Sequence, residues 1–200
     1  MRRIFIVIIF IVNLSGCGYN DIQTYDEQVN ASWSEVLNQY QRRADLIPNL
    51  VASIKGYSSH EQEVLEAVTL ARSQANRASS DLQQSPGDAQ KLQAWQQAQA
   101  QVSRTLGQLT IMSERYPELK AQELYQNLMV QLEGSENRIA VARGRYIKAI
   151  EQYNVTIRKF PAVLTAKVMD YTTKKNYLPD DVAAVSKAPI IDFSQNANAH

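Results

Sequence analysis

The stretch QYQRRADLIPNLV, Gln39 to Val51, decides how this chain folds, because its apolar residues recur in steps of three and four. That spacing places them on one face of an α-helix. Pro48 lies inside the pattern, and a proline within a helix removes one backbone hydrogen bond at a cost of about 3 kcal/mol. The stretch therefore predicts a helix with a special arrangement at its proline.

Polar residues surround this proline and give the stretch two interpretations. In the first interpretation, the stretch is a structural hinge with one of two arrangements. Either Asp45 caps a restarted helix, or the helix kinks and Arg42 or Asn49 donates a hydrogen bond to the freed carbonyl of Ala44. As a binding surface, it offers a partner protein the side chains of Arg42, Arg43, Asp45, Pro48 and Asn49. Both interpretations stay open at this point.

The helical periodicity continues on both sides of this stretch. Apolar stripes with the same spacing cover residues 33–54, 64–75, 92–112 and 124–160. No segment alternates with a period of two for long enough to predict a strand. Long amphipathic stripes joined by short turns predict an all-α fold, an elongated antiparallel bundle of about three to four long helices.

Prolines, glycines and one aspartate mark the expected helix ends. QQSPGDAQ, residues 83–90, is a predicted turn with Asp88 as the cap of the next helix. Pro117 suits the first turn of a new helix. We expect a local break near Gly134, and an end to the last long helix at Pro161.

The C-terminal part of the chain divides at about residue 177. A short helix is expected from about 162 to 170, which completes a bundle domain over residues 17–176. Residues 177–200 have no helical stripe, and we predict an extended or disordered tail.

The first seventeen residues have the features of a bacterial lipoprotein signal. Two arginines precede IFIVIIFIV, residues 4–12, which is too short for the roughly 20 residues that a bilayer-spanning helix needs. LSGC, residues 14–17, is a lipobox: an aliphatic residue, two small residues and a cysteine. We expect residues 1–16 to be cleaved off and Cys17 to carry lipid on its thiol and acyl on its amine. An uncleaved single-pass anchor is the alternative.

Cys17 is also the only cysteine, so the chain forms no intrachain disulfide. Two or three acyl chains on one residue hold a protein stably on a membrane, whereas a single chain does so only marginally. Gly18 follows, where an aspartate would retain a lipoprotein in the inner membrane of enteric-type bacteria. We therefore predict a membrane protein of the cell envelope, at the outer membrane and facing the periplasm.

Charge and motifs exclude several function classes. Removing residues 1–16 leaves 19 of the 21 basic side chains against 20 acidic ones, which gives no electrostatic case for nucleic acid. The chain has no Glu-x-x-His pair, no His-Glu-x-x-His, no Gly-x-Ser-x-Gly and no glycine-rich phosphate loop. His60 is interpreted as a helix-start or turn residue. We expect no catalytic site, no metal, no cofactor and no small-molecule substrate.

Three tyrosines lie on the apolar stripes: Tyr40, Tyr146 and Tyr153. Tyrosine at such positions favours packing in a seam between helices over an exposed binding platform. A buried tyrosine hydroxyl needs a partner, and Arg42, Asp45 or Asn154 is in range along the chain.

Several segments resemble the LemA family. The opening of that family is similar to QRRADLIPNLV (41–51), followed by KGY (55–57) and HE (60–61). Its second half is similar to the segment from LTIMSERYPELK to IRKFP (109–161), and its usual ending to APIIDF (188–193). Ile147 departs from the family, which usually has asparagine there. The lipobox departs as well, since many members have a longer spanning helix.

The resemblance implies a membrane-attached α-helical bundle that faces away from the cytoplasm and has no known catalytic activity. Members often accompany genes of membrane proteases, which implies an unidentified envelope protein as partner. A self-associating scaffold at the membrane is the second hypothesis, and an enzyme the third.

Overall fold

The computed structural model describes residues 2–55, 62–85 and 87–175, with side chains from Gly18 onward. These residues form helices and no strand, which confirms the all-α prediction. Four helices are long and two are short: α1 (Arg2–Ile54), α2 (Gln62–Gln84), α3 (Ala89–Ser113), α4 (Pro117–Lys120), α5 (Glu123–Thr156) and α6 (Ala162–Val168). From Gly18 onward, where side chains are described, no helix has a stretch apolar and long enough to cross a membrane.

The long helices pack as two antiparallel pairs. Helix α1 lies along α5, with Ile22 beside Ile150 at one end and Leu50 in one cluster with Leu128 at the other. Helix α2 lies along α3, and this pair covers the second half of α1. The predicted antiparallel bundle is therefore confirmed.

The core divides into three clusters along α1. The distal cluster joins α1, α2, α3, α4 and α5 around Ile54, Leu109 and Leu119. The middle cluster joins α1, α2, α3 and α5 around Trp95. The proximal cluster holds only α1, α5 and α6, around Ile22 and Ile150. The bundle thus has four long helices at its distal end and two long helices plus α6 at its proximal end.

Two predicted interruptions of long helices are absent. Helix α1 continues through Pro48 to Ile54, so no new helix starts at Asp45. Helix α5 also passes Gly134 without a break, because most residues of α5 are good helix formers and the helix packs on α1. The chain breaks earlier instead, between α4 and α5.

The predicted helix starts are in place. The Asp88 carboxylate accepts the backbone N–H groups of Gln90 at 2.8 Å and Lys91 at 3.2 Å, and so caps α3. Pro117 is the first residue of α4, where its missing N–H has no helical partner to lose.

Helix α6 folds back onto the proximal part of α1. The buried Gly18 lies so close to Ala162 that an added Cβ would be 2.8 Å from the Ala162 Cα. After α6, Asp170 has a left-handed backbone with φ of 55°, and the Tyr171 N–H donates to the Ala166 carbonyl at 2.9 Å. This left-handed cap turns the chain back toward α1.

The segment that follows α6 is held by side chains. The Asn154 amide makes two 2.8 Å hydrogen bonds to the backbone of Lys174, and the Lys174 ammonium pairs with Asp26. Gln23 donates to the Tyr171 hydroxyl. The predicted tail, residues 177–200, lies outside the described residues.

Candidate functional site

A buried arginine joins three helices at the middle of the bundle. Arg43 is 1% exposed, and its Nη1 donates to the Glu136 carboxylate at 2.6 Å and the Ser103 hydroxyl at 2.8 Å. Its Nη2 donates to the Gln99 side-chain oxygen at 2.7 Å and backbone oxygen at 3.2 Å. The guanidinium lies 5.0 Å from the centre of the Tyr40 ring. We call Arg43, Gln99, Ser103 and Glu136 the polar joint.

The phase of α1 explains why Arg43 points inward. Arg43 falls between the buried residues Tyr40 and Ile47, on the face that packs against α3 and α5. Arg42, one residue earlier, is rotated by about 100° and is exposed. The sequence places both arginines beside Pro48, and only the packing of the helices separates their roles.

Helix α2 supplies the hydrogen bond that Pro48 removes from α1. Proline has no N–H to donate to the Ala44 carbonyl, and the Arg72 Nε donates to that oxygen at 2.8 Å. Arg42 and Asn49 were the donors considered from the sequence for a kinked helix, and the donor instead comes from α2. A donor 28 residues away leaves no local signal.

The other residues of the predicted cluster lie on the solvent face of α1. Arg42, Asp45, Pro48 and Asn49 are all exposed. Their spacing of three and four residues puts them on one side of the helix. Asp45 accepts a 2.8 Å hydrogen bond from Gln41, which is also exposed. We call these four residues the Pro48 face.

A groove adjoins the distal end of this face. It has a volume of about 660 Å³ and lies between the last turns of α1 and the first half of α2. Its lining is mainly apolar and includes Val51, Leu65 and the exposed Leu70, with Lys55 and Glu66 as charged residues. The Pro48 face and this groove together offer polar and apolar contacts side by side.

A second groove of about 480 Å³ separates α3 from α5. Gly107 has open space above it, and Val130 on α5 is 68% exposed. Glu133 and Glu136 line the same groove, and the Glu136 carboxylate is paired with Arg43. The α3–α5 seam is therefore open below the polar joint.

The tyrosines of the apolar stripes pack in seams, as predicted. Tyr40 and Tyr146 belong to an aromatic cluster in which Tyr40 meets Trp95 at 4.8 Å and Tyr146 meets Trp33 at 5.0 Å between ring centres. Tyr153 is buried in the proximal cluster. Burial raises the pKa of both Tyr146 and Tyr153, because it disfavours the charged phenolate.

The described residues contain no group of three His, Cys, Asp or Glu side chains that could hold a metal ion. His60 lies outside the described residues, and so does the side chain of Cys17. The arrangement of the described part provides buried polar packing and exposed grooves. The described part is therefore a helical bundle with a buried polar joint and two exposed grooves.

The family of this bundle follows from comparison with known proteins. The LemA family model matches residues 32–193, and the chain belongs to the LemA family. The matched region includes the Pro48 face, the polar joint and the sequence segments that resemble the family.

Curated relatives of this chain are named magnetosome proteins. Magnetosome protein MamQ 2 of Paramagnetospirillum magneticum is 28% identical over 158 residues, which cover 72% of this chain and 58% of the relative. Magnetosome protein MamQ of Magnetospirillum gryphiswaldense is 27% identical with the same coverage. The chain thus spans less than two thirds of the length of these relatives.

Proposed function

We propose that this LemA-family protein is a non-catalytic, membrane-anchored lipoprotein of the bacterial cell envelope that binds another envelope protein. Cys17 carries the lipid, and the bundle projects from the membrane into the periplasm. The lipobox supports the anchor, and Gly18 supports the outer membrane as its location. The magnetosome names of the MamQ relatives support a place at a membrane.

The observation that carries the binding proposal is the exposure of the Pro48 face. Four polar or rigid side chains share one side of α1, beside a mainly apolar groove. Arg43 and Arg72 fix this part of α1 from behind through hydrogen bonds to α3, α5 and the Ala44 carbonyl. A rigid surface loses little entropy on binding, which favours a partner that docks on it.

Pull-down from envelope extracts with the full chain tests the binding surface. We expect Arg42→Ala combined with Asp45→Ala to reduce partner recovery at least several-fold, because both side chains are exposed and neither holds the bundle together. Glu114→Ala combined with Lys120→Ala is the matched control, since it removes one acid and one base from an exposed ion pair elsewhere. Undiminished recovery by the first variant, with an unchanged circular dichroism spectrum, contradicts the proposal.

Lipid attachment is tested separately by mass spectrometry of the mature N-terminus. The proposal expects a chain that begins at Cys17 with its thiol and amine acylated. An intact N-terminus with a free thiol supports the alternative of an uncleaved single-pass anchor.

A self-associating scaffold is the second candidate, and the open α3–α5 seam favours it. The exposed Val130 and the uncovered Gly107 leave room for a helix from another copy. Light scattering of the full chain in detergent tests this candidate. A multimer that Val130→Glu converts to a monomer supports the scaffold, and a monomeric parent chain contradicts it.

A further inference from the structure

The segment around α6 exposes large apolar side chains to solvent. Phe160 is 72% exposed, Leu164 57% and Val168 84%. Leu164 and Val168 lie four residues apart on one side of α6, and Phe160 lies in the turn before α6, while Ala162 and Ala166 face α1 and are buried. We call Phe160, Leu164 and Val168 the apolar stripe. We call residues 157–169 the elbow, since the chain turns there from α5 into α6 and back.

Basic side chains flank the apolar stripe. Arg158, Lys159 and Lys167 are exposed; residues 157–169 contain no acidic residue, and the exposed Asp170 follows them directly. An apolar stripe bordered by cations matches the boundary between the acyl chains and the anionic headgroups of a membrane. Val130 on α5 is equally apolar and exposed, but Glu133 and Glu136 lie beside it. Charge therefore distinguishes the elbow from the exposed surface around Val130.

The elbow lies where the membrane anchor leaves the bundle. Gly18 contacts Ala162 of α6, and Cys17 is the next residue toward the N-terminus. A lipid on Cys17 would put the bilayer within about one helical turn of this contact, since each helical residue advances 1.5 Å. An uncleaved anchor also places the bilayer at this end, because the apolar residues 4–12 belong to the start of α1 and residue 12 lies about 9 Å along the helix from Gly18.

We propose that the elbow is a second membrane-contact surface, with an anionic phospholipid bilayer as its partner. Phe160, Leu164 and Val168 enter the boundary of the acyl chains, and the three basic side chains bind headgroup phosphates. The contact fixes the orientation of the bundle on the bilayer, because a single anchor leaves the bundle free to tilt and to rotate. This inference rests on the membrane attachment in the proposed function.

Depth-dependent quenching in vesicles tests the elbow. The full chain is reconstituted in vesicles of phosphatidylglycerol and phosphatidylcholine with brominated acyl chains, and carries a fluorophore at Leu164→Cys. Val130→Cys is the matched control on α5, and the labelled parent chain corrects for any signal from Cys17. We expect several-fold stronger quenching at position 164 than at position 130. Replacing Arg158, Lys159 and Lys167 by glutamine should reduce the quenching at position 164 by at least half.

Flotation of the same vesicles separates the two proposals. A chain that floats but shows equal quenching at both positions overturns the elbow contact and leaves the anchor standing. A chain that does not float overturns both. A fluorophore at position 164 that is buried without any response to bromine shows that protein covers the stripe, which also overturns the inference. Quenching that is the same without phosphatidylglycerol overturns the role of the basic side chains.

Discussion

The two ends of the bundle are held together in different ways. At the distal end and the middle, four long helices meet, and the buried guanidinium of Arg43 bonds to α3 and α5 at once. At the proximal end, only α1 and α5 among the long helices meet, and the short helix α6 packs on α1 through small residues such as Gly18 and Ala162. The side-chain hydrogen bonds at this end, from Gln23 to Tyr171 and between Asn154 and Lys174, are exposed or only partly buried.

The two ends therefore differ in their expected free energy of local opening. Exposed hydrogen bonds and small-residue contacts open locally at a lower free energy than a core that several helices share. The proximal end is therefore suited to adjust to a membrane, while the distal half keeps the Pro48 face rigid for a protein partner. Three comparisons between variants test this difference in stability.

The largest effect is expected at the polar joint. Arg43→Ala leaves the buried Gln99 side chain without its donor and opens a cavity, so it should lower the free energy of unfolding by about 3 kcal/mol. Arg42→Ala, next to it on the solvent face, should change that free energy by less than about 0.5 kcal/mol. Urea titration followed by circular dichroism measures both. Equal losses in the two variants would show that Arg43 does not join the helices.

A smaller effect is expected at the contact between α1 and α6. Gly18→Ala puts a Cβ 2.8 Å from the Ala162 Cα, so α6 must shift, and we expect a loss of about 2 kcal/mol from overpacking. Gly144→Ala is the control, because nothing lies within 4 Å of an added Cβ in that helix interior. The control should gain up to about 1 kcal/mol from helix propensity. Thermal melting measures both variants. Melting temperatures raised by the same amount in both would contradict the close contact between Gly18 and Ala162.

The smallest effect is a coupling between Pro48 and Arg72. In the parent chain, Arg72→Met leaves the Ala44 carbonyl without its donor and should cost about 1–2 kcal/mol. After Pro48→Ala, the N–H of residue 48 can donate to that carbonyl, so the same substitution should cost about 1 kcal/mol less. A double-mutant cycle measures the difference. An identical cost in both backgrounds means that Arg72 does not replace the missing helical bond.

The long helices were predictable from sequence because each carries its own apolar stripe. The Asp88 cap and the start at Pro117 were predictable for a similar reason, since capping depends on residues within one turn. The continuity of α1 at Pro48 and of α5 at Gly134 was not predictable, because packing against neighbouring helices outweighs a local penalty. The Arg72 hydrogen bond is such a case, since its donor belongs to another helix.

The candidate site was predictable only in part. The sequence located the cluster from Arg42 to Asn49, and four of its five residues are exposed. It did not separate Arg43 from Arg42, because both side chains carry the same charge and only their rotation about the helix axis differs. The elbow was missed as well. The apolar spacing of residues 160, 164 and 168 is typical of a buried helix in sequence, but in the structure Phe160 precedes α6 and all three residues are exposed.

Hydrogen exchange of the full chain on vesicles tests most directly whether the proximal end faces the membrane and the distal half stays free. Amide exchange is compared with and without phosphatidylglycerol in the bilayer. The account predicts at least several-fold slower exchange in residues 157–169 when the anionic lipid is present, and unchanged exchange in residues 41–52. Slower exchange in residues 41–52, together with unchanged exchange in the elbow, would contradict the account.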